Sequence, residues 1–372
     1  MKITVAGAGI GGLAAAAALA DRGHDVSVME QAAEIGDVGA GLQISPNGMA
    51  VLKVLGCAQS FDRVSIRSEA VKLIDGLTGR NVVTLSLRRH APELEWRFVH
   101  RARLIEFLLS KAQASGALVK TNVCVDPPPA GMALEDDDLL VGADGLHSQV
   151  RARVDEATKP FFTGQVAWRA LIPDEGAPVA EVHMGPGRHL VSYPLPDGLR
   201  NIVAVEERKA WADEGWSFTD HPANLRSAFA DFSPRVRLWL DQVESCYLWG
   251  LFRHPVAHRW ANGHQVLLGD AAHPTLPFLA QGANLALEDA WVLAENVSKQ
   301  GREEGLASYQ RIRRPRAVRA IDAASANARN YHLRQPFSTI AHTAFRVVGR
   351  VAPALPLRKF DWLYRHDVTR SG

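Results

Sequence analysis

Four glycines near the start of the chain could hold a phosphate-containing ligand. Gly7, Gly9, Gly11 and Gly12 lie in the stretch GAGIGG. In such a turn, the missing side chains allow a tight bend and a close approach of the backbone to a pyrophosphate. Glu30 follows 18 residues after Gly12, a spacing at which an acid accepts both hydroxyls of an adenosine ribose. Its carboxylate would repel a 2′-phosphate, so the pattern disfavours NADP and leaves FAD and NAD open.

Two aspartates further along the chain stand where ligands bind in α/β sheets. Asp144, in LLVGADGLHSQVR (139–151), and Asp270, in VLLGDAAHPTLPF (266–278), each follow an apolar run that predicts a strand. Ligands in open α/β sheets bind beyond the carboxyl ends of the strands. An aspartate at either position could instead cap a helix or a turn. Their joint occurrence downstream of the glycine turn favours a binding role.

The elements that would position the glycine turn form a strand–helix–strand unit. Residues 2–6, KITVA, predict a strand, and the alanine-rich residues 13–20 predict a helix that Gly23 ends. Residues 25–30, DVSVME, alternate like a second strand. The start of the helix would present free N–H groups and the positive end of its dipole to a phosphate. The alternative is an ordinary α/β start whose glycines serve only packing.

Length and charge narrow the class of protein. A chain of 372 residues predicts two domains, or one large domain with insertions. Its 42 Lys and Arg against 40 Asp and Glu give a net charge of +2, with both signs spread along the chain. We therefore expect neither nucleic acid nor an anionic membrane as a partner.

Cysteine spacing and hydropathy indicate a cytoplasmic protein. Cys57, Cys124 and Cys246 lie far apart and show neither disulfide nor zinc spacing, so we expect no metal site. The chain opens on an apparent strand, which predicts no signal peptide. The longest apolar stretch, 337–357, is interrupted by one histidine and two arginines, so it predicts an amphipathic helix that packs on the protein, and no integral membrane segment.

Three motifs in a fixed order resemble a known family. GAGIGG (7–12), VGADGLHSQVR (141–151) and GDAAHPTLPFLAQGAN (269–284) are similar to motifs of the single-component FAD-dependent aromatic hydroxylases, class A flavoprotein monooxygenases of the salicylate and 3-hydroxybenzoate hydroxylase kind. VGAGLQISPNG (38–48) and VHRARLIEFL (99–108) resemble two further family segments. The resemblance favours FAD over NAD at the glycine turn, because an NAD dehydrogenase has no use for the two later motifs.

The resemblance also implies the residues that hold FAD. The pyrophosphate, adenosine and ribityl portions would be bound by Gly7, Gly9, Gly11 and Gly12 (pyrophosphate), Glu30 (ribose), Arg101 (phosphate or ribityl chain), Val125 (adenine), Asp144 (FAD and the transient nicotinamide nucleotide) and Asp270 (ribityl hydroxyls). The flavin ring would lie beside Gly282, Ala283 and Asn284, where a helix begins after the loop that contains Pro277. Its N–H groups would favour negative charge on the ring.

The reaction implied by the resemblance is an oxygenation. NADH or NADPH would reduce FAD, O₂ would be captured as a flavin hydroperoxide, and one oxygen atom would pass to an electron-rich ring. No second glycine fingerprint is present in the sequence, so the choice between NADH and NADPH stays open. Further alternatives keep the fold and use urate, a hydroxypyridine or a polycyclic natural product as substrate, or make the protein a non-oxygenating reductase or sensor.

By similarity, three residues would form the substrate site: His189, Tyr193 and Gln281. His189 and Tyr193 are four apart in RHLVSYPL, and an even separation on a strand places both on one face. A histidine there could remove the proton of a phenol near neutral pH, with Tyr193 orienting or relaying and Gln281 holding the substrate. The alternative is that His189 only satisfies hydrogen bonds within a sheet and Tyr193 belongs to the core.

The predicted organisation is a discontinuous Rossmann-like α/β domain that binds FAD, with an inserted antiparallel β-sheet domain for the substrate and a C-terminal helical segment. We assign 1–66, 96–160 and 253–330 to the FAD domain, 67–95 and 161–252 to the substrate domain, and 331–372 to the helical segment. The proline-rich stretch after Val125 predicts a shortened loop. His273 and the five arginines around Pro315 are interpreted as structural, and the chain as a monomer or homodimer.

Overall fold

The computed structural model describes residues 1–36, 41–128, 138–155, 160–209 and 218–370. Part of the family-like segment at 38–48 and part of the predicted proline-rich loop lie outside the described residues.

The strands and helices of the described residues follow one another along the chain. The strands are β1 (Lys2–Ala6), β2 (Asp25–Met29), β3 (Gly41–Ile44), β4 (Ser65–Arg67), β5 (Ala70–Asp75), β6 (Asn81–Ser86), β7 (Arg97–His100), β8 (Leu118–Lys120), β9 (Asp138–Gly142), β10 (Phe161–Pro173), β11 (Val179–Gly185), β12 (Arg188–Leu195), β13 (Leu199–Glu207), β14 (Phe218–Asp220), β15 (Cys246–Arg253), β16 (Ala261–Asn262) and β17 (Gln265–Leu267). The helices are α1 (Ile10–Ala20), α2 (Pro46–Val54), α3 (Ala58–Phe61), α4 (Leu87–His90), α5 (Arg101–Ala114), α6 (Arg151–Val154), α7 (Pro222–Ala228), α8 (Pro234–Asp241), α9 (Gly282–Gln300), α10 (Arg302–Tyr331), α11 (Phe337–Val351), α12 (Leu355–Arg358) and α13 (Asp361–Tyr364).

The first sheet has the order β16-β17-β9-β1-β2-β8. Its pairings are parallel except for that of β16 with β17. Because β1, β9 and β17 run in the same direction, their carboxyl ends bring the glycine turn, Asp144 and Asp270 to one edge of the sheet. The alanine face of α1 is buried against this sheet and against α9. The Rossmann-like region predicted from the sequence is confirmed.

The second sheet has the order β14-β15-β10-β13-β12-β11-β5-β6. Six of its seven pairings are antiparallel, but β5 pairs with β11 in parallel. The prediction of an antiparallel sheet therefore holds except at this junction. β5 and β6 come from an earlier part of the chain and extend the sheet beyond β11. A small third sheet, β3-β7-β4, lies between these two regions of the chain.

The C-terminal helices pack against both regions. α10 contains Pro315, packs along α9 and ends at Tyr331. α11 packs on β6 and buries Ser338 and His342, whereas Phe337 and Ile340 are exposed. Within the described residues, no helix is both long enough and apolar enough to cross a membrane.

Candidate active site

A cavity of about 250 Å³ separates the carboxyl edge of the first sheet from one face of the second. Two groups of predicted residues line it: Gly9, Gly11, Arg101, Asp270, Pro277, Gly282 and Ala283 on the side of the nucleotide motifs, and His189, Tyr193 and Gln281 on the other. The fold thus brings the residues predicted for the flavin and those predicted for the substrate into one space.

The glycines of the turn have different tasks. Gly7 has a φ of +100°, and a Cβ there would lie 2.5 Å from the carbonyl oxygen of Ala143. A Cβ on Gly12 would lie less than 3.0 Å from the carbonyl oxygen of Gly7. At Gly9, by contrast, no atom lies within 4 Å of the position of a Cβ. Gly7 and Gly12 therefore allow close packing of backbone, while Gly9 opens onto the space where a pyrophosphate fits.

Glu30 is tied to the glycine turn. Its carboxylate accepts a hydrogen bond from Ala8 N at 2.7 Å and another from Ala32 N at 2.8 Å. Each carboxylate oxygen has two lone pairs, so each keeps a further site for a hydroxyl donor. The geometry fits a ribose next to the turn. The hydrogen bond from Ala8 N also ties β2 to the turn, a structural role that the sequence did not predict.

The two predicted aspartates differ in what surrounds their carboxylates. Asp144 accepts hydrogen bonds from Ser148 Oγ and from the backbone N–H groups of Gln149 and Val150, so it caps its own turn. Asp270 faces the cavity, and among the described residues none donates a hydrogen bond to it. Surrounding protein raises the pKa of Asp270. Its oxygens are available to hydroxyl groups in the cavity, as a ribityl chain would provide.

The start of α9 points its free N–H groups toward the cavity. Gly282 and Ala283 line it, while the side chain of Asn284 is buried and bonds Ser45 N and the carbonyl oxygens of Gln43 and Ala280. The first N–H groups of a helix lack intrahelical partners. Asn284 therefore fixes the position of the helix through its side chain.

Ala280, just before α9, has a left-handed conformation. Its φ is 52° and it lines the cavity. Such a conformation is uncommon for a residue with a Cβ and concentrates at functional sites. Val125, which the family resemblance places near adenine, is half-buried after β8 and packs against the core of the first sheet. It is not among the residues that line this cavity.

His189 and Tyr193 share one face of β12, as their spacing predicts. Nδ1 of His189 lies 2.6 Å from Nε2 of His332, at the end of α10. Burial, and secondarily the charge of His332, hold the pKa of His189 well below its ordinary value. His189 is therefore neutral near pH 7 and able to accept a proton.

Tyr193 and Gln281 are both engaged by the protein. The ring of Tyr193 stacks on Phe98 with 5.0 Å between ring centroids, and burial raises the pKa of its phenol. The amide of Gln281 donates to Ser45 Oγ at 3.0 Å and accepts from Asn47 Nδ2 at 3.1 Å. Gln281 thus shapes the cavity wall with its amide already bonded.

A buried cluster of charges joins α9 to α10. Arg313 is fully buried and pairs with both Glu288 and Asp289, and Arg316 pairs with Glu288 at 2.7 Å. Asp289 also bonds Nε2 of His273. Burial raises the pKa of Asp289, but the His273 ring and then the guanidinium of Arg313 outweigh it and hold that pKa at about 2. These arginines and His273 are structural, and their partners on α9 carried no local signal in the sequence.

A second cavity of about 780 Å³ adjoins the first. It lies between the second sheet and the C-terminal helices, and it shares His189, Val191 and Pro277 with the first cavity. Its walls are mainly apolar and include Leu73, Leu85, Val182, Met184, Phe345 and Val348.

Sequence families match both parts of the nucleotide-binding region. The family described as an FAD binding domain matches residues 136–324. The family described as an NAD(P)-binding Rossmann-like domain matches residues 5–52. Both include motifs that line the cavity.

Curated relatives cover nearly the whole chain. The 3-amino-4-hydroxybenzoate 2-monooxygenase of Streptomyces cremeus is 35% identical over 90% of this chain and 88% of its own length. The 3-hydroxybenzoate 6-hydroxylase of Polaromonas naphthalenivorans is 30% identical over 99% of this chain and 96% of its own. HpxO of Klebsiella pneumoniae, solved with FAD and uric acid, superposes with a TM-score of 0.81 at 26% identity, covering 94% of each chain.

Proposed function

The chain belongs to the FAD-dependent aromatic hydroxylases, and on that premise we propose that it hydroxylates a small phenolic acid with His189 as the base. The expected cofactor and monooxygenase activity follow from membership of the family. The substrate class, the roles of individual residues, the use of O₂, a cytoplasmic location and a monomeric or homodimeric state belong to the proposal.

One observation supports this assignment above the others. His189 lines the same cavity as Asp270 and the start of α9, and its Nε2 accepts no hydrogen bond from the described residues. A neutral imidazole with a free lone pair in a cavity beside the flavin motifs is suited to take a proton from a bound phenol.

The residues of this chain divide the work between cofactor and substrate. Asp270 would hold ribityl hydroxyls, and the N–H groups of Gly282 and Ala283 would stabilise negative charge on the flavin ring. When bound, FAD would supply the redox chemistry, passing two electrons from NADH or NADPH to O₂, of which one oxygen atom would go to the substrate and the other to water. His189 would convert the phenol to a phenolate, which is the better nucleophile toward that oxygen.

Arg169 gives a reason to propose an acid as substrate. It lies on β10, lines the cavity, and its guanidinium stands over the ring of Trp249 at 4.8 Å from the centroid. Its positive charge favours the ionised form of Tyr193 against the opposing effect of burial, so it acts on the region beside Tyr193. A carboxylate bound there would gain a charge-assisted hydrogen bond.

A panel of compounds tests the proposal. We expect 3-hydroxybenzoate, salicylate or 3-amino-4-hydroxybenzoate to stimulate NAD(P)H oxidation and to give a product with one added oxygen by mass spectrometry. Substitution His189→Ala should lower the hydroxylation rate by about 10²–10⁴-fold, whereas His258→Ala, at an exposed histidine, should not. An unchanged rate in the His189 variant would remove its role as base. NAD(P)H oxidation without product would favour a reductase or sensor.

The second cavity supports a second candidate function. Its volume of about 780 Å³ lies within the range of pockets for drug-sized ligands, and its apolar walls suit a fused-ring substrate. In that case a polycyclic phenol, and none of the simple benzoates, urate or hydroxypyridines, would stimulate NAD(P)H oxidation and be hydroxylated.

A further inference from the structure

His189 lines the cavity, and its Nδ1 contacts a second buried histidine within the protein. His332, the residue after α10, is buried and lies 143 residues from His189 in the sequence. Its Nε2 faces His189, and its Nδ1 lies 3.0 Å from Oε1 of Glu207 on β13. The side chain of Glu207 is 41% exposed. A continuous row of three groups thus runs from the cavity to the surface.

The row fixes which ring nitrogens carry protons. Glu207 accepts only, so Nδ1 of His332 carries a hydrogen, and in the neutral ring Nε2 is then an acceptor. Gln165 Nε2 also approaches Nδ1, at 3.5 Å, but the carboxylate is closer and negatively charged. Nδ1 of His189 must therefore donate to His332, which leaves Nε2 of His189 as the proton acceptor toward the cavity.

We propose that His332 and Glu207 form a proton relay that carries the substrate proton from His189 to solvent and sets the tautomer in which His189 acts as base. This inference rests on the function proposed for His189. His332 and Glu207 act through His189, so they are positioning and relay residues.

The transfer balances in two steps. The substrate O–H bond breaks and its proton bonds to Nε2 of His189, while the Nδ1 proton of His189 moves to Nε2 of His332. His332 becomes an imidazolium beside the Glu207 carboxylate, the substrate becomes a phenolate, and His189 stays neutral. His332 then releases its Nδ1 proton through Glu207 to water.

Other groups around the two rings are compatible with this direction of transfer. Tyr331 and Phe278 pack against the ring of His189, and burial keeps Tyr331 neutral by raising its pKa. Arg334 contacts the second oxygen of Glu207 at 3.3 Å. Burial lowers the pKa of His332, and the hydrogen bond and charge of Glu207 offset part of that effect. The only carboxylate that the structure pairs with His332, among the described residues, is Glu207.

The test measures ionisation of a bound phenol separately from turnover. The probe is 4-hydroxy-3-nitrobenzoate, whose phenolate absorbs visible light, bound to the holoenzyme and titrated with pH. In Glu207→Gln and His332→Gln we expect the pH at which the bound phenol ionises to rise by about one unit, and hydroxylation near pH 7 to fall about tenfold. The rate of flavin reduction by NAD(P)H should stay within about twofold of wild type.

Glu206→Gln is the matched control. Glu206 is the neighbour of Glu207 on β13, but it faces the other side of the sheet and pairs with Arg208. It should leave the ionisation of the probe unchanged. The bound probe could ionise at the wild-type pH in Glu207→Gln and His332→Gln but at a higher pH in His189→Ala. In that case the relay is wrong and His189 remains the base. If His189→Ala also ionises the probe normally, the proposed function of His189 fails.

Discussion

The two sides of the cavity are built in different ways. We call the wall that carries the nucleotide motifs the flavin side, and the wall that carries His189, Tyr193 and Gln281 the substrate side. The flavin side is formed largely by main chain in short continuous segments, such as the turn from Gly7 to Gly12 and the first residues of α9. The substrate side is formed by side chains that meet across long sequence separations, such as His189 with His332 and Asn47 with Gln281.

This difference determines how each side can fail. The flavin side depends on the absence of atoms, because a Cβ at Gly7 or Gly12 would overlap backbone. The substrate side depends on the correct packing of α9 and α10, because α10 carries His332 to His189. Buried ion pairs of Arg313 with Glu288 and Asp289 link those helices.

The largest expected effect is on the charge cluster behind the substrate side. Arg313→Met would remove the guanidinium that pairs with both buried carboxylates, Glu288 and Asp289, and breaking a buried ion pair typically costs about 3–5 kcal/mol. Chemical unfolding of the holoenzyme should show this loss, and hydroxylation should fall because α10 no longer holds His332 in place.

Arg311→Met is its control. Arg311 is exposed on the same helix, and within the described part of the chain it bonds only Ser308 Oγ, so its replacement should change the free energy of unfolding by less than about 0.5 kcal/mol. A loss below about 1 kcal/mol in the Arg313 variant would mean that side-chain charges do not maintain the substrate side.

The next effect separates two glycines of the flavin side. Gly12→Ala forces the backbone of Gly7 to move and should destabilise the protein by about 1–3 kcal/mol. Gly9 has φ −74° and ψ −179°, which any residue can adopt, and open space where a Cβ would lie. Gly9→Ala should therefore keep the stability of the apoprotein and weaken FAD binding. Equal losses of stability in the two variants would contradict the division of tasks.

The same contrast explains how much the sequence could predict. The residues of the flavin side could be predicted from the sequence because they are neighbours in the chain. Strand, turn and helix signals therefore place them together. His189 and Tyr193 were nominated by the family resemblance, and their even spacing predicted that they share one face of a strand. Their surroundings were not predicted, because no local pattern indicates that His332 or Glu207 will approach β12.

The motifs predicted where residues lie on the sheet, but they did not predict what the side chains of those residues contact. Asp144 and Asp270 stand at equivalent strand ends, yet only Asp270 faces the cavity, since Asp144 is used to cap the turn that follows it. The parallel pairing of β5 with β11 likewise depends on contacts between distant segments. Strand patterns predict such elements without predicting their partners.

A third prediction compares these two aspartates. Asp270→Asn replaces the charged acceptor that we propose for ribityl hydroxyls by a neutral one, and we expect FAD to bind about tenfold more weakly, equivalent to about 1.4 kcal/mol. Fluorescence titration of the apoprotein with FAD measures this. Asp144→Asn should instead lower the free energy of unfolding, because Asp144 accepts three hydrogen bonds from its own turn. Weaker FAD binding in the Asp144 variant alone would reverse their assignment.

The smallest expected effect lies where the two sides meet. Ala280, with φ 52°, joins the loop of Pro277 to α9 and lines both cavities. A left-handed alanine costs about 1–2 kcal/mol, which glycine avoids, although glycine loses about 0.4–1 kcal/mol through the unfolded chain. Ala280→Gly should therefore leave stability unchanged or raise it by up to about 1 kcal/mol.

Ala307→Gly gives the matched comparison for that strain. Ala307 is exposed within α10, where replacement by glycine should cost about 1 kcal/mol. Unfolding of the two variants under the same conditions should thus give shifts that differ by about 1 kcal/mol or more. If Ala280→Gly destabilises as much as Ala307→Gly, the left-handed turn is not strained. In that event the junction is held by the contacts of Asn284 and Gln281, and it belongs to the part of the cavity that side chains build.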